Sequence, residues 1–133
     1  MDELSELFKV LGDKNRLRII NLLKQRSLCV CEITEILKLA PSTVSRHLSI
    51  LKHVGIIKDK KDKKWVVYSL NVCYDNVLIT VLMPLVLSQL KDDEQAESDL
   101  RKLAGIDLNF VCKSKDASEI DSIKNEVTPK VSI

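Results

Sequence analysis

The chain has 133 residues, 45% of them apolar, and a net charge of +2, enough for one compact domain with a real core and nothing that suggests a second domain of similar size. The longest apolar stretch, Val77 to Leu90, is interrupted by Thr80, Pro84, Ser88 and Gln89 and falls short of the roughly 20 residues needed to cross a bilayer; the opening MDELSELFKVLGD lacks the basic-then-apolar order of a secretory signal, so a cytoplasmic protein with no membrane partner is expected. Charge divides unevenly, with 14 Lys/Arg against 8 Asp/Glu in residues 1–70 and 7 against 11 in residues 71–133, and the excess is densest from Pro41 to Lys64, a footprint suited to phosphate.

Leu4, Leu7, Phe8 and Leu11 recur at helical spacing, and Gly12 is expected to end this first helix in the usual C′ manner. Asp13 is a good N-cap for a second helix, Lys14 to Gln25, in which Leu17, Ile20 and Leu23 form an apolar edge that Ile19 and Leu22 widen. Ser27 to Val30 has strand character. A short third helix from Cys31 or Glu32 to Leu39 places Ile33, Ile36 and Leu37 inward, and Lys38-Leu39-Ala40 turns tightly into Pro41, a favourable first helical residue.

The fourth helix, Pro41 to about His53, sets Val44, Leu48 and Leu51 on one face and small polar residues with Arg46 elsewhere. A short helix, a tight turn and a second helix with an Arg and hydroxyls near its start is the arrangement that lets base edges be read in a major groove. Gly55 closes it. Two strands follow, Ile56 to Lys58 and Trp65 to Leu70, joined by the basic loop Asp59 to Lys64, whose lysines suit phosphates and the minor groove. Tyr74 to Leu90 forms a last long helix, apolar over more than half its surface and therefore in need of a partner, with Pro84 expected to bend it. Lys91 to Leu103 can prolong the helix after a break, and residues 105–133 mix polar residues with isolated apolar ones, a poorly ordered tail. The expected organisation is a domain over residues 1–104 and a tail over 105–133.

The pieces LGDKNRLRIINLL, LCVCEITEIL, PSTVSRHLSILKHVGII and WVVYSL, spanning Leu11 to Leu70, closely resemble the ArsR/SmtB family of winged-helix regulators. The resemblance implies a mainly helical winged helix-turn-helix with about five helices and a two-stranded wing, a homodimer through the first and last helices, a two-fold symmetric operator in duplex DNA, and repression relieved by an ion rather than any enzymatic activity. It assigns Ser42, Thr43, Ser45, Arg46, His47 and Ser49 to the recognition helix and Lys61, Lys63 and Lys64 to the wing. Ala40 stands where a capping Ser is common in the family.

Four thiols in a chain without a secretion signal do not read as a disulfide framework. Cys29-Val30-Cys31 puts two sulfurs at a strand-to-helix junction, where the helix N-terminus favours thiolate at Cys31. Such a pair suits a soft ion, namely trivalent arsenic or antimony, cadmium, lead or zinc, and LCVC in this family implies an arsenite sensor; DNA binding itself needs no cofactor. The arsenite pattern often has a third Cys where Thr34 stands here, leaving Cys73 or Cys112, from the same or the partner subunit, as candidates. The family's other ion site, an Asp-x-His and a later His on the last helix, is absent, since Asp75-Asn76-Val77 lacks the histidine. An oxidisable thiol pair sensing oxidant or persulfide on the same fold is the alternative. No Cys-x-x-Cys, phosphate-cradling loop or Ser/His/Asp arrangement supports an enzyme.

Overall fold

A computed structural model describes residues 1–62 and 64–106. Helix α1 (Asp2–Leu11) meets α2 (Lys14–Gln25) across a two-residue turn in which the Asp13 carboxylate accepts from the Asn15 and Arg16 amides at 2.8 and 3.1 Å. Gly12 is not left-handed as a C′ glycine usually is, with φ of −81°. A Cβ there would stand 3.1 Å from the Phe8 carbonyl oxygen, a tight contact that a larger residue could make only if the turn gave by a few tenths of an ångström. Strand β1 (Leu28–Cys29) runs directly into α3 (Val30–Leu37), which Lys38 ends in the left-handed region at φ 58°. Helix α4 (Pro41–His53) then begins on Ala40, which offers no side-chain cap, so the start relies on Pro41 giving up no amide proton.

Gly55, at φ +88°, turns the chain out of α4 into β2 (Ile57–Asp62), which pairs antiparallel with β3 (Trp65–Leu70). Asn71 fastens the base of this hairpin through its side-chain amide, which donates to the Gly55 carbonyl at 2.6 Å. The hairpin strands run further than expected, taking in Asp59 to Asp62 as paired residues. On its other edge β3 pairs with β1, Leu28 opposite Tyr68 and Cys29 opposite Val67, so the sheet has three strands in the order β1-β3-β2. This ties the segment bearing Cys29 to the wing by backbone hydrogen bonds.

The core lies where α2, α3, α4 and the sheet converge, with Ile19, Ile20, Leu22, Ile33, Leu48, Leu51, Ile56 and Ile57 closed off from solvent. Burying each such side chain is worth about 1.5–3 kcal/mol. Helix α5 (Val77–Leu90) starts later than expected, capped by the Asn76 side chain on the Leu78 amide. It buries only Ile79 and Met83, while Val77, Val81 and Leu85 stand 78, 57 and 60% exposed. Phe8 of α1 is likewise 54% exposed.

A sixth helix, α6 (Glu94–Gly105), goes beyond the five expected and packs on α2 and α3. Asp99, fully buried, accepts two hydrogen bonds from the Arg18 guanidinium at 2.9 and 3.1 Å, and Asn21 donates to the Ala96 carbonyl at 3.2 Å. No described helix is long and apolar enough to cross a membrane. The tail expected over residues 105–133 lies outside the described residues from residue 107 onward, as do Lys63 and Cys112.

Candidate DNA-reading surface and effector site

Helix α4 divides into two stripes of identical spacing. Val44, His47, Leu48 and Leu51 are buried, and Ser42, Ser45, Arg46 and Ser49 are exposed. Residues at i, i+3, i+4 and i+7 share a helix face, so one stripe anchors the helix and the other offers three hydroxyls and a guanidinium to solvent. Thr43 is half-buried between them. His47 corrects the expectation that placed it among the DNA-facing residues: it is 4% exposed and points inward.

His47 has a different task. Its Nδ1 lies 3.4 Å from Nη1 of Arg16, whose Nε and Nη2 donate to the carbonyls of Val10 and Lys9 at 2.8 and 3.1 Å. One planar fork thereby joins the last turn of α1, the first turn of α2 and the middle of α4. Burial, reinforced by Arg16 and Arg46 and opposed by Asp13, holds the His47 ring below its ordinary pKa. This staple is absent from the sequence reading, although Asp13-x-x-Arg16 beside a histidine in an apolar stripe carries its signal.

In the wing, Lys58, Lys60, Lys61 and Lys64 are exposed. Lys52 of α4 reaches across to Asp59 at 3.0 Å, bracing the hairpin against the helix. Lys64 lies 5.8 Å from the centre of the Trp65 ring. Lys61 and Lys64 thus sit in the hairpin as expected, joined by Lys60; Lys63 lies outside the described residues.

The two cysteines come together at the head of α3. Cys29 is its N-cap and Cys31 falls in its first turn, their sulfurs 3.0 Å apart. Two sulfurs bound to one ion at about 2.3 Å each in a tetrahedral site stand roughly 3.8 Å apart, so the pair is within reach of a single ion and would have to open slightly to hold it. The Cys29 amide donates to the Glu32 carboxylate at 3.0 Å, a capping-box contact that fixes the backbone of the pair. Hydrogen bonding to Cys31, then burial, then the Glu32 charge push the Cys29 thiol far above its usual range. A soft cation binding Cys29 as thiolate would have to displace its proton.

The thiols open onto a cleft of about 490 Å³ between α3, the start of α4 and the wing, bounded by Thr34, Pro41, Trp65 and Val66. Thr34 and Trp65 contribute to the cleft wall, and their Oγ1 and Nε1 atoms are shielded from solvent without a hydrogen-bond partner among the described residues. Such groups cost about 1–3 kcal/mol each. Sequence reasoning did not find this cleft, because Trp65 reads only as a strand aromatic. Cys73 is exposed and is not part of the cleft wall. Among the described residues no group of three or more Cys, His, Asp or Glu is placed to hold a metal, so Cys73 is not gathered with the pair within one chain.

A family model described as bacterial regulatory protein, arsR family, matches residues 13–59. An uncharacterized HTH-type transcriptional regulator of Methanocaldococcus jannaschii is 44% identical over 68 residues, 50% of this chain and 76% of that one. The cadmium resistance transcriptional regulatory protein CadC of Listeria innocua is 40% identical over 82 residues, covering 61% of this chain and 66% of that protein. The arsenical resistance operon repressor of Escherichia coli is 42% identical over 67 residues, covering 50% and 57%. Among solved structures, the homodimeric winged helix-turn-helix DNA-binding domain of a possible ArsR-family regulator from Mycobacterium bovis superposes with a TM-score of 0.55 at 22% identity, over 70% of this chain and 82% of that one.

Proposed function

The chain belongs to the arsR family of bacterial regulatory proteins, a family of DNA-binding regulators rather than enzymes, and on that footing we propose that it is a cytoplasmic homodimeric repressor released from its operator when a thiophilic ion binds Cys29 and Cys31. The observation that carries the effector half is the 3.0 Å approach of these two sulfurs at the head of α3. The exposed stripe of Ser42, Ser45, Arg46 and Ser49 would read base edges, with Thr43 at its margin and Lys61, Lys63 and Lys64 holding phosphates. Trivalent arsenic or antimony is the inducer proposed first, and cadmium, lead and zinc, which also bind thiolate, are the alternatives, since two of the relatives are named one for arsenical and one for cadmium resistance.

Release follows from how the elements are joined. An ion drawing the two sulfurs into its own geometry moves the end of β1 and the first turn of α3, and both are tied to DNA-contacting parts: β1 to β3 by backbone pairing, α3 to α4 by packing. Two reading helices of a dimer must sit about 34–36 Å apart to meet successive grooves, so a small change at each head costs operator affinity. The exposed apolar residues of α1 and α5 supply the surface for dimerisation.

Replacing Cys29 and Cys31 together by Ser tests this. The variant should bind operator like the parent and stay bound under arsenite, antimonite and cadmium; release of the double variant by any of them overturns the site. The sulfur contact also favours a second reading, a pair oxidised or persulfidated without metal, which predicts release by oxidant or polysulfide and a corresponding mass change.

A further inference from the structure

Resting on the dimer and DNA reading just given, we infer that Arg16 is a positioning residue for DNA recognition: its guanidinium locks α4 to the dimer-facing helix α1, so that the spacing of the two reading helices is set by a contact that touches no base.

Arg16 stands in the first turn of α2, and its Nε and Nη2 donate to the Val10 and Lys9 carbonyls at 2.8 and 3.1 Å. Those carbonyls belong to the last turn of α1, where a helix has no intrahelical donors left to offer them and where its dipole favours a cation. The third arm, Nη1, lies 3.4 Å from Nδ1 of His47, a buried residue next in the chain to Arg46 of the exposed stripe. A guanidinium can only donate, so Nδ1 accepts and the ring keeps its proton on Nε2. Asp13 completes the cluster. Its carboxylate accepts from the Arg16 amide at 3.1 Å, and its charge and that of Arg46 also act on the ring.

The two ends of this contact face different partners. Helix α1 buries Leu7 and Val10 against the body and leaves Leu4 and Phe8 exposed for the second copy. Helix α4 buries Val44, Leu48 and Leu51 and turns its other stripe to DNA. Arg16 is therefore a polar link between the helix that meets the partner and the helix that meets the bases. Apolar packing is non-directional and holds α1 and α4 together without fixing how one is rotated on the other, whereas a planar fork with set donor directions specifies that angle. In a dimer the two α4 helices must stand about 34–36 Å apart, and a rotation at each junction changes that distance at both heads at once.

The test uses the full chain, the operator mapped by footprinting in the duplex upstream of its own coding sequence, and the same operator with one base pair inserted between its half-sites, read by fluorescence anisotropy at pH 7.5. Arg16→Gln should remain a dimer by sedimentation, bind the operator about tenfold more weakly, and discriminate between the two spacings about tenfold less than the parent. His47→Gln, whose amide oxygen can still accept from Arg16, should bind within about threefold of the parent. His47→Leu should lose as much as Arg16→Gln, and the two together should lose no more than either alone. Where Arg16→Gln does not fold, Arg16→Lys keeps the charge without the fork and carries the same expectation. Parent-like discrimination between spacings in a folded Arg16 variant, or additive losses in the double variant, overturns the inference and leaves Arg16 a staple of the fold alone. A parent that prefers neither spacing over random duplex removes instead the DNA reading beneath it.

Discussion

His47 shows how one residue's environment sets its role. Its spacing with Val44, Leu48 and Leu51 places it in the anchoring stripe, and that was legible in the sequence; resemblance to a recognition helix pulled it to the wrong face. Because burial and neighbouring arginines depress its pKa, the unfolded chain binds a proton that the folded chain refuses. Stability from this group is therefore present above the unfolded value near 6.5 and is lost as pH falls below it toward the depressed folded value. Thermal denaturation of parent and His47→Gln between pH 7.5 and 5 should show the parent losing stability more steeply over the acid half of that range. Parallel profiles would mean that His47 does not titrate against the fold. The cysteine pair, by contrast, was singled out from Cys-x-Cys at a strand-to-helix junction together with the family resemblance, and the sulfurs meet because Cys29 is an extended N-cap rather than a helical residue; the cleft depends on Trp65, distant in sequence, and only strand pairing brings it near.

At the scale of elements, the helices with one apolar stripe and a sound cap were evident before the structure. Asp13 and Pro41 mark the starts of α2 and α4 as local chemistry requires. Strand β1 has two residues and too little periodicity to announce its pairing with β3. Helix α6 was expected only as a prolongation of the preceding helix after a break, and its packing was not foreseen, because nothing local tells that Asp99 is buried against an arginine 81 residues away. That ion pair makes a prediction: Asp99→Ala leaves the Arg18 guanidinium, 18% exposed, facing α6 without its carboxylate. The expected loss is about 3 kcal/mol of unfolding free energy in chemical denaturation, with faster amide exchange through α6. A change under about 0.5 kcal/mol would show that α6 is held by its apolar contacts alone.

For the whole molecule, Phe8 of α1 and Val77, Val81 and Leu85 of α5 are apolar residues left open to solvent, and a second copy is the partner proposed for them. Val81→Glu with Leu85→Glu alters side chains already open to solvent in the single chain, so the fold should survive. Sedimentation should then report a monomer, and operator affinity should fall by about 100-fold or more as two linked half-sites become one. A monomeric parent would remove the dimer from the proposal. Its central claim is that the stripe of Ser42, Ser45, Arg46 and Ser49, steadied by the lysine-bearing wing, reads duplex DNA. The most direct test is fluorescence anisotropy of the full chain with the duplex upstream of its own coding sequence and with random duplex, at about 150 mM salt. The account predicts a preference of about 1,000-fold or more for its own sequence, reduced by Arg46→Ala; equal affinity for both duplexes would contradict it.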